Sequence, residues 1–227
     1  MSKLFSIGEI ASIFEERHPA AIERRRYFSV LMPLVEKNGE THVLFEVRAQ
    51  HMKTQPGEVC FPGGRIESGE TSRECAVRET CEELGIRDDE IQVFCQLDTS
   101  RNAAGSTIYR FLGQIEYETL QRVSLSREEV DRIFLVPLSF FLENEPSVMT
   151  VEIGPIGDYR EQYRAHGLGN YEWGATKTLV PFYHYPGYPD YPIWGLTGRM
   201  MQNFVRILRQ ARSDEVREAE ERWRQKD

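Results

Sequence analysis

The hydrophobic and polar positions of the chain divide it into elements before any chemistry is considered. Residues 7–17 read as a short helix, followed by the basic run Arg24-Arg25-Arg26. Residues 27–37, YFSVLMPLVEK, predict a strand, and Asn38-Gly39 predicts the tight turn into a second strand over 41–49. A polar loop over 51–57 leads to a short extended piece at 58–61, which Pro62-Gly63-Gly64 brings to an end. Thr71-x-x-Glu74 has the form of a capping box and Gly85 that of a C-terminal glycine, so a helix is predicted between them. Residues 91–98 and 108–117 read as strands joined by a loop over 99–106. Residues 133–137 read as a buried strand leading into 138–142, and Ser126-x-x-Glu129 as the cap of a short turn before it. From 146 to 192 the pattern dissolves into a loop-rich, aromatic-rich stretch. Residues 196–210 then form an amphipathic helix with Met200, Phe204, Ile207 and Leu208 on its apolar stripe.

Composition narrows the class. With 227 residues, 40% hydrophobic and 28% charged, the chain has the make-up of a globular protein with a buried core. The reading is one domain over 27–212, an N-terminal helical and basic extension over 1–26, and a charged tail over 213–227. The formal net charge of -8 argues against binding to duplex nucleic acid. It gives no sign of a membrane partner, and a homodimer is left open. A phosphorylated substrate remains compatible with this charge, because a metal ion can stand between two sets of anions. Cys60, Cys75, Cys81 and Cys95 lack C-x-x-C spacing, and no cleavable leader is visible, so reduced thiols in a cytoplasmic protein are expected.

The chemistry concentrates in 64–86, GRIESGETSRECAVRETCEELGI. Six glutamates against three arginines give this segment a charge of -3. Gly64, Glu70, Arg78, Glu79, Glu82, Glu83 and Gly85 fit G-x5-E-x7-R-E-U-x-E-E-x-G-U, where U is a bulky apolar residue. That match has a chance of about 10⁻⁵ over a chain of this composition. At helical pitch, Glu79, Glu82 and Glu83 share one sector, with Val77, Thr80, Cys81 and Leu84 opposite, ready to pack on a sheet. Clustered carboxylates of this kind suit Mg²⁺ or Mn²⁺. Arg78, one turn before Glu82, is spaced to hold that carboxylate. Gly63 and Gly64 permit a tight loop that brings a backbone carbonyl toward the same ion.

This segment resembles the Nudix box, the signature of the Nudix hydrolases. The resemblance implies an α/β/α sandwich around a mixed sheet, with a loop-helix-loop catalytic motif and cleavage of nucleoside diphosphate derivatives with Mg²⁺ or Mn²⁺. By position, Glu79 and Glu83 would be the principal metal ligands, with Glu82 a ligand or base and the Gly64 carbonyl nearby. Glu70 and Arg78 would brace loop and helix. Glu129 aligns with a loop glutamate that serves as base or further ligand in some members; a capping glutamate is the other reading. Thr80 stands where an aliphatic residue is commoner.

Upstream, 44–64 is similar to the added motif of the coenzyme A pyrophosphatase branch, LLTxRSx3Rx3Gx3FPGG. Leu44, Arg48, Gly57 and Phe61-Pro62-Gly63-Gly64 agree with it, whereas Phe45, Glu46, Ala49 and Lys53 depart. The resemblance implies hydrolysis of coenzyme A to 4′-phosphopantetheine and adenosine 3′,5′-bisphosphate. Arg48 and Lys53 would contact phosphates, and Gly57, Phe61, Gly63 and Gly64 would shape the binding segment. Two other readings stay open: a Nudix pyrophosphatase for ADP-ribose, NADH or dinucleoside polyphosphates, and a nucleotide sensor without turnover. His51, in the loop before the box, is the one histidine expected near the site.

Overall fold

The computed structural model describes residues 5–15, 26–101, 105–154, 157, 159–169, 174 and 176–224. Arg24 and Arg25 of the basic run lie outside them, as do the last residues of the predicted N-terminal helix, of which α1 covers Ile7–Glu15.

Strand β1 (Tyr27–Lys37) turns through Asn38 and Gly39, both at positive φ, into β2 (Glu40–Arg48). Left-handed backbone at both central positions is what a two-residue hairpin of type I′ requires. The extended run ends after β3 (Val59–Cys60) with a bend at Pro62, as predicted, but the Gly63-Gly64 pair that follows is itself extended. With Arg65 it forms β4 (Gly63–Arg65), antiparallel to Phe28–Val30 of β1. Glycine makes this close pairing feasible: at Gly63, with φ +151, a Cβ would lie 2.3 Å from the carbonyl oxygen of Ser29.

Helix α2 (Ser72–Leu84) follows, then a 3₁₀ turn at Asp88–Glu90, β5 (Ile91–Arg101) and β6 (Thr107–Ile115). A short α3 (Tyr117–Leu120) precedes β7 (Val130–Pro137) and α4 (Leu138–Glu143). The main sheet runs β3-β2-β1-β6-β5, with β4 beside β1 and β7 beside β2. It is mixed: β1 and β6 are parallel, the other pairs antiparallel.

The loop-rich expectation for 146–192 gives way to more regular structure. That stretch contains β8 (Ser147–Ile153), α5 (Tyr159–Ala165) and β9 (Thr176–Tyr183), and with β10 (Ile193–Trp194) the strands form a second, antiparallel sheet. Its described aromatics mostly pack: Tyr183 on Phe141, Tyr185 on Phe140 and Tyr188 on Phe134. The final helix α6 (Gly195–Arg224) continues past the amphipathic stretch into the charged segment.

Two cores flank the main sheet. Leu31, Val35, Leu44 and Phe111 meet Ala76 and Leu84 of α2 on one face. Met32, Phe45, Val47 and Phe134 meet Met201, Phe204 and Val205 of α6 on the other. The class is therefore α+β with helices on both faces of a mixed sheet. Among the described residues, no helix is long and apolar enough to cross a membrane.

Candidate active site

Helix α2 is fixed at both ends by local chemistry. The hydroxyl of Thr71 accepts from the Glu74 N–H at 3.2 Å, and the Glu74 carboxylate accepts from the Thr71 N–H at 2.7 Å. Gly85 takes φ +65 and donates its N–H to the Cys81 carbonyl at 2.8 Å. Both orphan ends are thus satisfied in the way the sequence pattern predicts.

The rotation of α2 on the sheet differs from the helical-wheel expectation. Its buried residues are Cys75, Ala76, Thr80, Glu83 and Leu84, while Val77 and Cys81 are only half-buried. Thr80 is fully buried and returns its hydroxyl to the Ala76 carbonyl at 2.7 Å, so it replaces an aliphatic side chain without leaving an unpaired polar atom. Glu83 therefore lies on the packed side, 4% exposed, and accepts a hydrogen bond from the Gly63 N–H at 2.8 Å. The glycine loop and the helix are locked together through this carboxylate.

Arg78 organises the others. It forms a bidentate pair with Glu70, at 3.0 and 2.9 Å, and donates to Glu79 at 3.0 Å and to Glu82 at 3.1 Å. The Arg78 guanidinium and the Glu67 N–H hold the Glu70 carboxyl down at about 2. Glu79 is pressed beneath Gly64, where a Cβ would come within 2.3 Å of its carboxylate. Burial pushes its pKa upward against the pull of Arg78.

A cleft of about 620 Å³ opens at this end of the sheet. Its walls carry Glu58, Glu79, Glu83 and Glu129 together with Arg26, Arg48 and Arg65. The structure thus brings together Glu79, Glu83, Glu129, Arg48, Phe61, Gly63 and Gly64 from the sequence-predicted set. It does not bring Glu82 there. That side chain is 57% exposed and borders a separate surface depression with Arg73 and Asp88, because the turn that buries Glu83 carries its neighbour outward. Lys53 and His51 are exposed in the loop after β2 and are not on the cleft wall, where Met52, Thr54 and Gln55 stand instead. Gly57, at φ +71, abuts the Gln50 side chain and shapes that loop rather than the cleft. Glu129, in the turn before β7, faces the cleft and gives its carbonyl to the Ala49 N–H at 2.8 Å.

Several site residues are not apparent from the sequence. Arg26 belongs to a basic run whose sequence allows either a phosphate contact or a solvated charge cluster, and the fold places it on the cleft wall. Arg65 is brought there by β4, Trp194 by β10 and Thr197 by α6, whose hydroxyl donates to the Val59 carbonyl at 3.0 Å. Glu46 is behind the wall. It is a glutamate inside the otherwise apolar run Val43–Val47, 1% exposed, with its carboxyl beside that of Glu83. Burial raises both carboxyls, and on Glu83 the charge of Glu46 adds to the rise. The one signal in the sequence was a charge inside the apolar run of a strand.

This donor set suits a hard divalent cation. Two buried carboxyls in contact are stabilised by a positive charge between or beside them, and oxygen donors select Mg²⁺- or Mn²⁺-type ions. Oε2 of Glu46 is buried and finds no hydrogen-bonding donor among the described residues. As the side chains are arranged, no three His, Cys, Asp or Glu among the described residues already converge on one cation position. Glu79 and Glu83 are held instead by Arg78 and the Gly63 N–H.

Comparison with known proteins agrees with this geometry. The NUDIX domain profile matches residues 24–148. The chain is 27% identical to Nudix hydrolase 3 of Caenorhabditis elegans over 219 residues, covering 89% of this chain and 82% of that protein. It is 33% identical to a peroxisomal coenzyme A diphosphatase of Mus musculus over 116 residues, covering 51% of this chain and 48% of that protein. A mitochondrial coenzyme A diphosphatase of Homo sapiens is 26% identical over 182 residues, covering 79% of this chain and 68% of that protein. In the mouse relative the match therefore spans about half the protein's length. The chain belongs to the Nudix hydrolase family. Within it, the chain is a pyrophosphohydrolase that resembles the coenzyme A diphosphatase branch.

Proposed function

We propose that the protein is a metal-dependent coenzyme A diphosphatase, acting in the cytoplasm on a small nucleotide substrate of the coenzyme A type. The observation that carries this reading is one cleft holding Glu79 and Glu83 under the Gly63-Gly64 loop, with Arg48, Arg26 and Arg65 on the same walls. Coenzyme A carries a diphosphate and a 3′-phosphate, so its site needs both a cation-binding floor and separate guanidinium groups. Partial likeness to curated coenzyme A diphosphatases supports the same substrate class.

Glu79, Glu83 and the Gly64 carbonyl would hold Mg²⁺ or Mn²⁺. The ion would neutralise charge on the diphosphate and make a water acidic enough to attack phosphorus. Arg78 keeps the Glu79 carboxylate turned toward the loop, and Glu70 fixes Arg78 in turn. Glu82 acts through Arg78 rather than from the cleft. Glu129, exposed and facing the cleft, is the candidate to accept a proton from the attacking water. Arg48, Arg26 and Arg65 orient the phosphates.

The test is a product assay with Mg²⁺ or Mn²⁺ across coenzyme A, ADP-ribose, NADH and diadenosine polyphosphates. The expected result is preferential release of 4′-phosphopantetheine from coenzyme A. Preference for ADP-ribose with coenzyme A untouched overturns the substrate assignment. Binding without turnover of any of them marks a sensor.

A further inference from the structure

The chemistry above uses Glu83 but leaves Glu46 without a task. Glu46 lies two residues before the end of β2, on the face toward α2, and is 1% exposed. Its Oε1 lies 3.9 Å from the Sγ of Cys60, and its Oε2 has no donor among the described residues. Cys60 and Glu83, the side chains it touches, both line the cleft. Among the described residues, Arg48 is the cation whose charge reaches it, and the Arg48 Nε is directed to the Thr54 carbonyl at 3.4 Å.

A second buried polar atom without a partner, the hydroxyl of Ser29, lies on the same face of the sheet, two residues before Leu31 on β1. Buried polar groups are almost always paired, and buried carboxylates are paired or coordinate metal. A glutamine or threonine would fill this position without the desolvation cost of a carboxyl. Among the described residues only Arg48 offsets the charge of this acid, and none donates to its Oε2, so the position calls for a further positive charge.

We propose that Glu46 is a further carboxyl of the cation site: a positioning residue that braces Glu83 from within the sheet and adds its charge behind it, tightening divalent-cation binding. This rests on the reading of the cleft as that of a metal-dependent hydrolase. Outer carboxylates of metal sites orient the inner ones and set affinity, so their loss is read in binding as well as in rate.

The experiment measures Mn²⁺ binding by the full chain without substrate, using electron paramagnetic resonance of free Mn²⁺, for the wild type, Glu46→Gln and Glu46→Thr. Melting temperatures are recorded in EDTA and in saturating Mn²⁺. Both variants are expected to bind Mn²⁺ roughly 10- to 100-fold more weakly. In EDTA they should melt at or above the wild-type temperature, because the carboxyl pair is relieved, and the rise in melting temperature on adding Mn²⁺ should shrink. Unchanged Mn²⁺ affinity in both variants overturns the proposal. So does weaker binding accompanied in both by a matching loss of stability in EDTA, which would make Glu46 a requirement of the fold alone. Failure of the wild type to bind Mn²⁺ rejects the reading of the cleft itself, and the role of Glu46 with it.

Discussion

Arg78 donates to three carboxylates from one guanidinium, and the consequences differ at each. Glu70 takes the bidentate share together with the Glu67 N–H, which lowers its pKa from 4.5 to about 2. An acid whose folded pKa is depressed binds fewer protons folded than unfolded. Its stabilising contribution is complete above 4.5 and is lost as pH falls from there toward about 2. Glu70→Gln is therefore expected to be less stable than the wild type at neutral pH. The gap should close on acidification through that window, as followed by urea unfolding at a series of pH values. A gap that stays constant with pH would show that the pairing depends on shape and not on charge.

At this scale the sequence was a good guide to identity and a poor one to direction. The spacing of Arg78 and Glu82 announced their contact. Nothing in the spacing told Glu82 from Glu83, which are adjacent in sequence yet 57% exposed in one case and buried in the other.

Among elements, α2 was legible almost to the residue because its limits are set by local bonds. Thr71→Ala removes the cap hydroxyl and is expected to cost about 1 kcal/mol of stability. Because Thr71 is not on the cleft wall, the Michaelis constant should stay at its wild-type value while thermal unfolding moves down. The hairpin of β1 and β2 was legible for the same reason, through Asn38-Gly39. Strand β4 was not. Gly63-Gly64 carries the composition of a turn, and it becomes a strand only because β1 is present to pair with it and leaves no room for a Cβ. Strands β8 and β9 were hidden similarly. Their alternation is blurred by apolar residues left outside, among them Val148, Met149 and Leu179.

Across the whole molecule, α6 closes the face of the sheet opposite α2 and also reaches the cleft through Thr197 and Met200. Met201, on the same turn, is fully buried against that face. Met201→Ala is expected to destabilise the fold by about 2–5 kcal/mol, as large-to-small changes in a packed core do. Chemical denaturation measures the loss, and turnover of the remaining folded fraction should stay near the wild-type level because Met201 does not line the cleft. Arg110 strengthens the same junction. It is buried between β6 and α6 and donates to the Asp98 and Met200 carbonyls and to Asn203 at 3.0 Å.

The sequence by itself determined the carboxylate helix, its caps, the glycine loop before it and the kind of cation chemistry they suit. All of these follow from bonds and spacings within about twenty residues. Only the tertiary structure decided which carboxylates meet. It turned Glu83 inward and Glu82 outward, delivered Arg26 and Arg65 to the cleft, and set Glu46 behind Glu83 across 37 residues of chain. The physical reason is that a helix rotates and a strand registers to satisfy the apolar faces around it. That choice is made by the whole core and leaves little trace in any one segment.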